Sequence, residues 1–194
     1  MKRSVLFTGV GGQGVLTVAN ILAKAALVEG LHVLTSEVHG MAQRGGSVVC
    51  HVRIGNVHSP LISDGGADAI VSMEPVEALR NIEKIKEDGI ILTDITPIIP
   101  QMVSIGKGKY PPLKEIFEEM EKRCNLITID ALNIARKAGN AITRNIVMLG
   151  ALAETSIVPV PKEKILDVVK KSVPEKYVSL NEKAFVMGSK AVKK

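Results

Sequence analysis

Residues 5–14, VLFTGVGGQG, decide the fold of this 194-residue chain. The apolar run Val5–Phe7 is typical of a buried parallel strand, and it ends in glycines at positions 9, 11 and 14, the spacing G-x-G-x-x-G. From Val15 to Ala26, apolar residues recur at three- and four-residue steps, which predicts a helix. A second apolar run at Leu31–Leu34 completes a strand–helix–strand unit, so the chain opens as an α/β protein.

The next residues, 36–47 (SEVHGMAQRGGS), show no clear hydrophobic periodicity and are predicted to form a loop. The alternating residues Val48–Ile54, the turn signal at 55–56 and the run Val57–Leu61 predict a hairpin. Strand and helix then alternate, with strands near 68–73, 90–93 and 126–129 and helices near 75–86, 113–123, 131–137, 144–155, 162–171 and 177–193. We therefore predict one domain spanning 1–194, with a Rossmann-like doubly wound sheet, an inserted β-hairpin and a helical C-terminal third.

Charge and composition exclude several classes of function. The net charge of +5 suggests a nucleic-acid binder, but residues 160–194 hold nine lysines and four acidic residues, so they account for the whole excess. Aromatic residues make up only 3% of the chain, too few for a surface that stacks nucleic-acid bases. With 46% hydrophobic residues the chain is globular, and we predict no nucleic-acid partner.

Membrane insertion and secretion are equally disfavoured. The longest apolar stretch, Val15–Val28, contains polar residues and is shorter than the roughly 20 residues that span a bilayer. Residues 1–3 lead directly into the first predicted strand, without a secretory signal. The two cysteines suit a reducing compartment. We expect a cytoplasmic protein with no membrane partner.

The glycine motif has several interpretations. Its glycines allow a tight turn and a close approach of phosphate to the backbone, and the following helix N-terminus attracts anions. Glu37 lies at the end of the second predicted strand, near where dinucleotide sites place a ribose-binding acid. NAD or FAD binding is therefore one interpretation; another ligand, a subunit contact and purely structural glycines are the others.

The second motif, residues 37–47, combines charged and hydrogen-bonding side chains on one predicted loop. Glu37, His39, Gln43 and Arg44 share it, and Arg44 precedes Gly45-Gly46, a pairing suited to clasping phosphate or carboxylate. An ordinary solvated loop is the alternative. The four histidines lack metal-ligand spacing, no complete catalytic motif occurs, and both cysteines are predicted to be structural.

Together, the Gly9–Gly14 loop and the stretch EVHGMAQRGGS at residues 37–47 resemble the gamma-type subunit of 2-oxoacid:ferredoxin oxidoreductases, and within that family its indolepyruvate branch. The likeness covers essentially the whole chain, and the second motif is its specific part. It implies oxidative decarboxylation of an aryl 2-oxo acid with coenzyme A, which yields an aryl-acetyl-CoA, carbon dioxide and reduced ferredoxin. It also implies that thiamine diphosphate, magnesium and iron–sulfur clusters belong to a large partner subunit, with no cofactor held by this chain alone.

The same resemblance implies a site without a catalytic acid or base and without a metal, at which this subunit closes the active site and helps to hold coenzyme A. The predicted cofactor-binding or subunit-junction residues are Gly9, Gly11, Gly12, Gln13, Gly14, Glu37, His39, Gln43, Arg44, Gly45, Gly46 and Ser47. Among them, Gln13, His39, Gln43 and Arg44 are the predicted binding and positioning side chains. Two alternatives stay open, a free-standing NAD- or FAD-binding oxidoreductase or sensor and a non-catalytic scaffold. The C-terminal lysines are predicted to form a solvated helical face, or one that meets an acidic partner such as ferredoxin or the phosphates of coenzyme A.

Overall fold

The computed structural model describes residues 2–40 and 45–192, which form a six-stranded sheet with helices on both faces. The strands are β1 (Lys2–Val10), β2 (Val33–His39), β3 (Ser47–Gly55), β4 (Ala67–Ser72), β5 (Ile85–Asp94) and β6 (Asn125–Ile129). The helices are α1 (Val15–Val28), α2 (Pro75–Arg80), α3 (Gln101–Ser104), α4 (Leu113–Glu121), α5 (Ala131–Ala138), α6 (Arg144–Glu154), α7 (Lys162–Ser172) and α8 (Val178–Ala191). None of the helices in these two ranges is long and apolar enough to cross a membrane.

The strand order is β2-β3-β1-β4-β5-β6. Strands β1, β4, β5 and β6 run parallel, and β3 is antiparallel to both of its neighbours. The predicted α/β class and the helical C-terminal third are confirmed, and the sheet contains a hairpin, formed by β2 and β3. Strand β3 lies between β1 and β2, the first two predicted strands.

The predicted partner of β3 within the hairpin is wrong. Strand β3 pairs with β2, with Val38 opposite Val49, and Val57–Leu61 forms no strand. The Arg53 guanidinium explains the difference: its Nη1 donates to the backbone carbonyls of Ser59 and Leu61, at 2.8 and 2.9 Å. These carbonyls are therefore held by a side chain in a loop and do not join a ladder.

Two further predicted boundaries are corrected. The loop predicted over residues 36–47 is shorter, because β2 continues to His39 and β3 begins at Ser47. The helix predicted over 75–86 stops at Arg80, where the Asn81 side-chain amide donates to the Glu77 carbonyl at 2.9 Å and ends the helix. Strand β5 consequently begins at Ile85.

Apolar residues alternate between the two faces of β1 and build two cores. Phe7 faces α1 and α5–α8, whereas Leu6 faces α2 and α4 on the opposite side. In the larger layer, α6 and α8 cross so closely that a Cβ at Gly150 or Gly188 would overlap a backbone carbonyl of the other helix. This packing fixes α6 against the sheet and brings its first residues to the edge where β1, β4 and β5 end.

Candidate functional site

The two sequence motifs meet at the edge of the sheet where the parallel strands end, which we call the carboxyl edge. The Gly11 amide donates to the Gly46 carbonyl at 2.8 Å, and the Gly40 amide donates to the Ser47 carbonyl at 3.0 Å. The antiparallel direction of β3 makes this possible, because β3 begins at the edge where β1 ends. The loop after β1 and the loop before β3 therefore form one surface, as open α/β sheets use for ligands.

Some predicted site residues fall beyond what the structure describes. Gln43 and Arg44 lie outside the described residues, and for His39 the description is limited to its backbone at the end of β2. Gly45 is described, with a positive φ of 78°. The roles predicted for Gln43, Arg44 and the His39 side chain stay predictions.

Positive backbone angles shape the glycine loop. Gly12 and Gly14 have φ values of 99° and 76°, a region that favours glycine. Position 9 requires glycine for a different reason, because a Cβ there would lie 2.7 Å from Gln13 Oε1 and 2.8 Å from the Val15 side chain. Gly14 precedes α1, and no side chain of the described residues caps this helix. The first N–H groups of α1 are therefore open to an anion.

Gln13 holds the glycine loop in place. Its Oε1 accepts from the Val10 amide at 2.6 Å, and its Nε2 donates to the Met73 carbonyl at 2.7 Å. Both ends of the side-chain amide are thus bonded within the protein, across the ends of β1 and β4. Gln13 thus fixes the loop itself, and its predicted role in binding and positioning a ligand stays a prediction.

Arg144, at the start of α6, is a site residue that the sequence analysis missed. Its Nη2 donates to the carbonyls of Met73 (2.9 Å) and Thr96 (3.0 Å), and its Nε bonds the carboxylate of Asp94. Burial raises the pKa of Asp94 above its ordinary value, and the guanidinium offsets this only in part. Arg144 and Gln13 share the Met73 carbonyl, so one backbone oxygen connects α6 with the glycine loop.

Asn145, the next residue, touches the glycine loop directly. Its Nδ2 donates to the Gly14 carbonyl at 3.3 Å, and its Oδ1 accepts from the Ile146 amide at 2.9 Å. A Cβ at Gly14 would overlap the Asn145 amide. Glycine is therefore favoured at position 14 by its backbone angle and by this contact. No local pattern marks Arg144 or Asn145, because the partners that they bind across the site lie 48 to 131 residues away in sequence.

A second polar network supports the loop before β3. The hydroxyl of Ser47 donates to Glu77 Oε2 at 2.5 Å, and Arg80 donates to Glu77 Oε1 at 2.8 Å. The Glu77 amide in turn donates to Glu74 Oε2 at 3.0 Å. Both carboxylates are buried. Ser47, a predicted site residue, is thus tied to a buried carboxylate of α2.

The other oxygen of Glu74 binds the connection between β5 and α4. Its Oε1 accepts from the Tyr110 hydroxyl at 2.6 Å and from the Ile98 amide at 3.2 Å. Burial, with the hydrogen bond and charge of Glu74, raises the pKa of Tyr110, so its hydroxyl stays protonated at neutral pH. A cavity of about 400 Å³ lies between this connection and the two motif loops. Its lining includes Val10, Gly45, Glu74, Glu77, Arg80, Ile99, Met102 and Tyr110.

Glu37 does not occupy the position of a ribose-binding acid in a dinucleotide site. It lies in β2 opposite Cys50, and β3 separates this strand from β1. In a dinucleotide fold the acid follows the strand next to β1. Burial raises the pKa of the Cys50 thiol to about 12, with the Glu37 charge adding to the effect, so Cys50 is a buried thiol and not a nucleophile.

The arrangement can bind and orient a ligand, with few groups suited to proton transfer. Asp94, Glu74 and Glu77 are all engaged in hydrogen bonds within the protein. Within residues 2–40 and 45–192, no group of three or more histidine, cysteine or acidic residues could hold a metal ion. The described residues therefore offer open backbone N–H groups at the start of α1 and a cavity lined by both apolar and charged side chains.

Comparison with known proteins agrees with the resemblance found in the sequence. The profile of the family described as pyruvate ferredoxin/flavodoxin oxidoreductase matches residues 4–191. The chain is 46% identical over 195 residues to the indolepyruvate oxidoreductase subunit IorB of Pyrococcus horikoshii, covering 99% of this chain and 96% of the relative.

Two other proteins extend the comparison. The solved structure of the gamma subunit of a keto/oxoacid ferredoxin oxidoreductase from Geobacter sulfurreducens matches with a TM-score of 0.71 and 30% identity, over 97% of each chain. The ketoisovalerate oxidoreductase subunit VorA of Methanothermobacter thermautotrophicus is 29% identical over 189 residues, which make up 95% of this chain and 35% of that longer one. The fold, the motifs and these matches agree, and the chain belongs to the pyruvate ferredoxin/flavodoxin oxidoreductase family.

Proposed function

We propose that this chain is the small subunit of a cytoplasmic indolepyruvate:ferredoxin oxidoreductase and acts as one domain, residues 1–194. The reaction converts an aryl 2-oxo acid and coenzyme A into an aryl-acetyl-CoA and carbon dioxide, and two electrons pass to ferredoxin. The similarity to IorB along almost the full length of both chains supports this branch of the family. The observation that carries the site is the Gly11–Gly46 bond, which joins the two family-like motifs into one surface.

The redox cofactors belong to a large partner subunit. Thiamine diphosphate supplies the electron sink for decarboxylation, and iron–sulfur clusters carry the electrons onward. The two cysteines of this chain cannot ligate a four-thiolate cluster, and they lie in different elements, Cys50 in β3 and Cys124 before β6. The donor set of this chain thus fits a subunit that shapes the site and leaves the electron transfer to its partner.

The carboxyl edge would contact coenzyme A. The uncapped N-terminus of α1 carries a partial positive charge, and the Gly11–Gly46 bond joins the loop before it to Gly46, which follows Arg44 by two residues in sequence. Phosphate groups are the anions that such a combination favours. In this role the chain binds and orients coenzyme A, and it neither donates nor removes a proton.

Co-expression with the cognate large subunit tests the proposal. The purified complex should reduce methyl viologen or ferredoxin with indolepyruvate in a CoA-dependent manner, and the large subunit alone should not. Arg44→Ala should raise the KM for coenzyme A at least tenfold, and Arg44→Lys should recover part of the loss. A complex that fails to form, or that forms without CoA-dependent oxidation of indolepyruvate, would overturn the proposal.

The dinucleotide alternative predicts a different result. A free-standing NAD or FAD protein would bind NADH or FAD saturably as an isolated chain. The position of Glu37, two strands from β1, speaks against this outcome. We expect isothermal titration of the isolated chain with NADH and with FAD to give no saturable heat.

A further inference from the structure

The connection between β5 and α4 exposes an unusual run of apolar side chains. Ile99, Met102 and Ile105 are 46%, 55% and 63% exposed, all within seven residues. Met102 and Ile105 are one helical turn apart, and Ile99 and Met102 both line the 400 Å³ cavity. Clustered exposed apolar residues mark an interaction surface, whereas scattered ones are normal. We call residues 98–110 the docking segment.

The docking segment is anchored at both ends by a single buried atom. Glu74 Oε1 accepts from the Ile98 amide at its start and from the Tyr110 hydroxyl at its end, and Glu74 is only 2% exposed. Between these anchors, the Lys107 amide donates to the Met102 carbonyl at 2.8 Å. An exposed apolar segment held in this way has already lost much of the conformational entropy that docking would otherwise remove.

We infer that the docking segment is the surface to which the large subunit binds, an inference that rests on the proposed function. Two observations favour this occupant. Because Ile99 and Met102 line the same cavity as Val10 and Gly45, the segment is continuous with the proposed ligand surface. In VorA, the residues matching this chain make up 35% of a longer chain, which indicates that a domain of this kind works beside further domains.

The flanks of the segment have the composition of an interface rim. Lys107 and Lys109 are exposed beside the apolar residues, so a charged border follows an apolar centre, as protein interfaces commonly show. A partner that covers the segment would also close the cavity from the solvent side, because Ile99, Met102 and Tyr110 line one of its walls. On this inference, docking of the large subunit also covers one wall of the cavity.

The test compares charged substitutions in the docking segment with matched ones elsewhere. Met102→Asp and Ile105→Asp should each raise the Kd for the cognate large subunit at least tenfold, measured by biolayer interferometry, because each places an unpaired charge in an apolar contact. Leu27→Asp and Val28→Asp are the controls. These side chains are also exposed, but they lie at the far end of α1, at the opposite edge of the sheet. They should change the Kd less than twofold.

A second pair of variants tests the anchoring. Tyr110→Phe keeps the apolar residues and removes one anchor, so the Kd should rise three- to tenfold. Tyr177→Phe alters the chain's other tyrosine, which is exposed before α8, and should leave the Kd unchanged. Thermal melts establish that all variants are folded. An unchanged Kd for Tyr110→Phe would contradict the anchoring.

The outcomes separate this inference from the proposed function. If the wild-type chain binds the large subunit and Met102→Asp and Ile105→Asp do not change the Kd, the inference about the docking segment is wrong and the proposed function stands. If these variants weaken binding but the wild-type complex does not oxidise indolepyruvate, the inference about the docking segment is supported. The proposed function is then wrong. A wild-type chain that does not bind overturns both. If sedimentation shows a dimer of the isolated chain that Met102→Asp dissociates, with unchanged binding to the large subunit, the occupant is a second copy and the inference is wrong.

Discussion

The two edges of the sheet each bury an aspartate, with opposite electrostatic results. At the edge where the parallel strands begin, Asp68 accepts hydrogen bonds from Arg3 (3.0 Å), Lys86 (2.6 Å) and the Ser4 amide (2.7 Å). Burial acts to raise the pKa of Asp68, but these three donors outweigh it and hold the pKa below its ordinary value. At the carboxyl edge, Asp94 binds the Arg144 guanidinium and accepts from the Thr96 amide at 3.0 Å, but burial outweighs these contacts and raises its pKa.

This difference separates an edge built for stability from one built around a site. Several donors share the charge of Asp68, so no single one is essential. The Arg144 guanidinium serves Asp94, Met73 and Thr96 at once, and through Met73 it meets Gln13 of the glycine loop. Asp68 thus has two cationic side chains and one backbone amide as donors, whereas Asp94 has the Thr96 amide and, among the described residues, a single cationic side chain, that of Arg144.

The largest expected effect comes from removing that side chain. Arg144→Ala leaves the Asp94 carboxylate buried without its cation, and we expect it to lower the free energy of unfolding by about 3–5 kcal/mol. Arg3→Ala is the matched change at the other edge. Asp68 keeps Lys86 and Ser4, and Arg3 is partly exposed, so the loss should be about 1 kcal/mol or less. Urea unfolding of both variants measures the contrast, and equal losses would contradict it.

Two glycines with nearly the same backbone angle, one at each edge of the sheet, provide a second test of the difference between the edges. Gly14 at the carboxyl edge has a φ of 76°, and Gly30 at the opposite edge has a φ of 74°. A Cβ at Gly30 meets nothing within 4 Å, whereas one at Gly14 would displace the Asn145 amide from the Gly14 carbonyl. Gly30→Ala should cost about 1–2 kcal/mol for the backbone angle alone. Gly14→Ala should cost about 1 kcal/mol more, for the lost hydrogen bond. Equal urea midpoints for the two variants would rule out a role for Asn145.

The two aspartates should also respond oppositely to pH. The folded-state pKa of Asp68 is lowered, so its stabilising contribution is present above the unfolded pKa and is lost as pH falls through the folded value. The folded-state pKa of Asp94 is raised, so its contribution is present below the unfolded pKa and is lost as pH rises through the folded value. The difference in unfolding free energy between wild type and Asp68→Asn should therefore shrink from pH 6 to pH 3. The unfolding free energy of wild type minus that of Asp94→Asn should instead increase from pH 6 to pH 3. Parallel trends would contradict the assignment.

Local periodicity predicted most of the fold, because apolar spacing directly reports which face of a strand or helix is buried. The glycine motif between β1 and α1 and the helices of the C-terminal third follow from such patterns. The pairing of β3 with β2 did not, since Val57–Leu61 was an equally local candidate partner, and in the structure the Arg53 guanidinium binds the carbonyls of Ser59 and Leu61. That interaction has no periodic signature.

The site was predicted only in its sequence-local half. The glycines and the Arg-Gly-Gly segment are compact motifs in the sequence, and the fold brings Gly46 of the second motif to Gly11 of the first. Arg144 with Asp94, and Glu74 with Tyr110, lie 50 and 36 residues apart in sequence. Single arginines and glutamates at helix starts are common, so only the folded chain distinguishes these from ordinary surface residues.

Ser47 and Ser4 provide the smallest expected contrast. Ser47→Ala removes the hydroxyl that binds Glu77 at 2.5 Å, and we expect it to lower the unfolding free energy by about 1 kcal/mol. Ser4→Ala removes an acceptor 3.3 Å from Arg53 Nε, but Arg53 keeps two carbonyl partners, so about 0.5 kcal/mol should be lost. Because these two stability losses are similar, the KM for coenzyme A is the measurement that distinguishes the two serines. Ser47 follows Gly46, whose carbonyl holds Gly11, so Ser47→Ala should raise the KM for coenzyme A several-fold in the assembled complex while kcat changes little. Ser47→Thr, which keeps the hydroxyl, should restore the KM, and Ser4→Ala should not alter it. A purely structural serine would instead change stability alone and leave the KM for coenzyme A equal in all three variants.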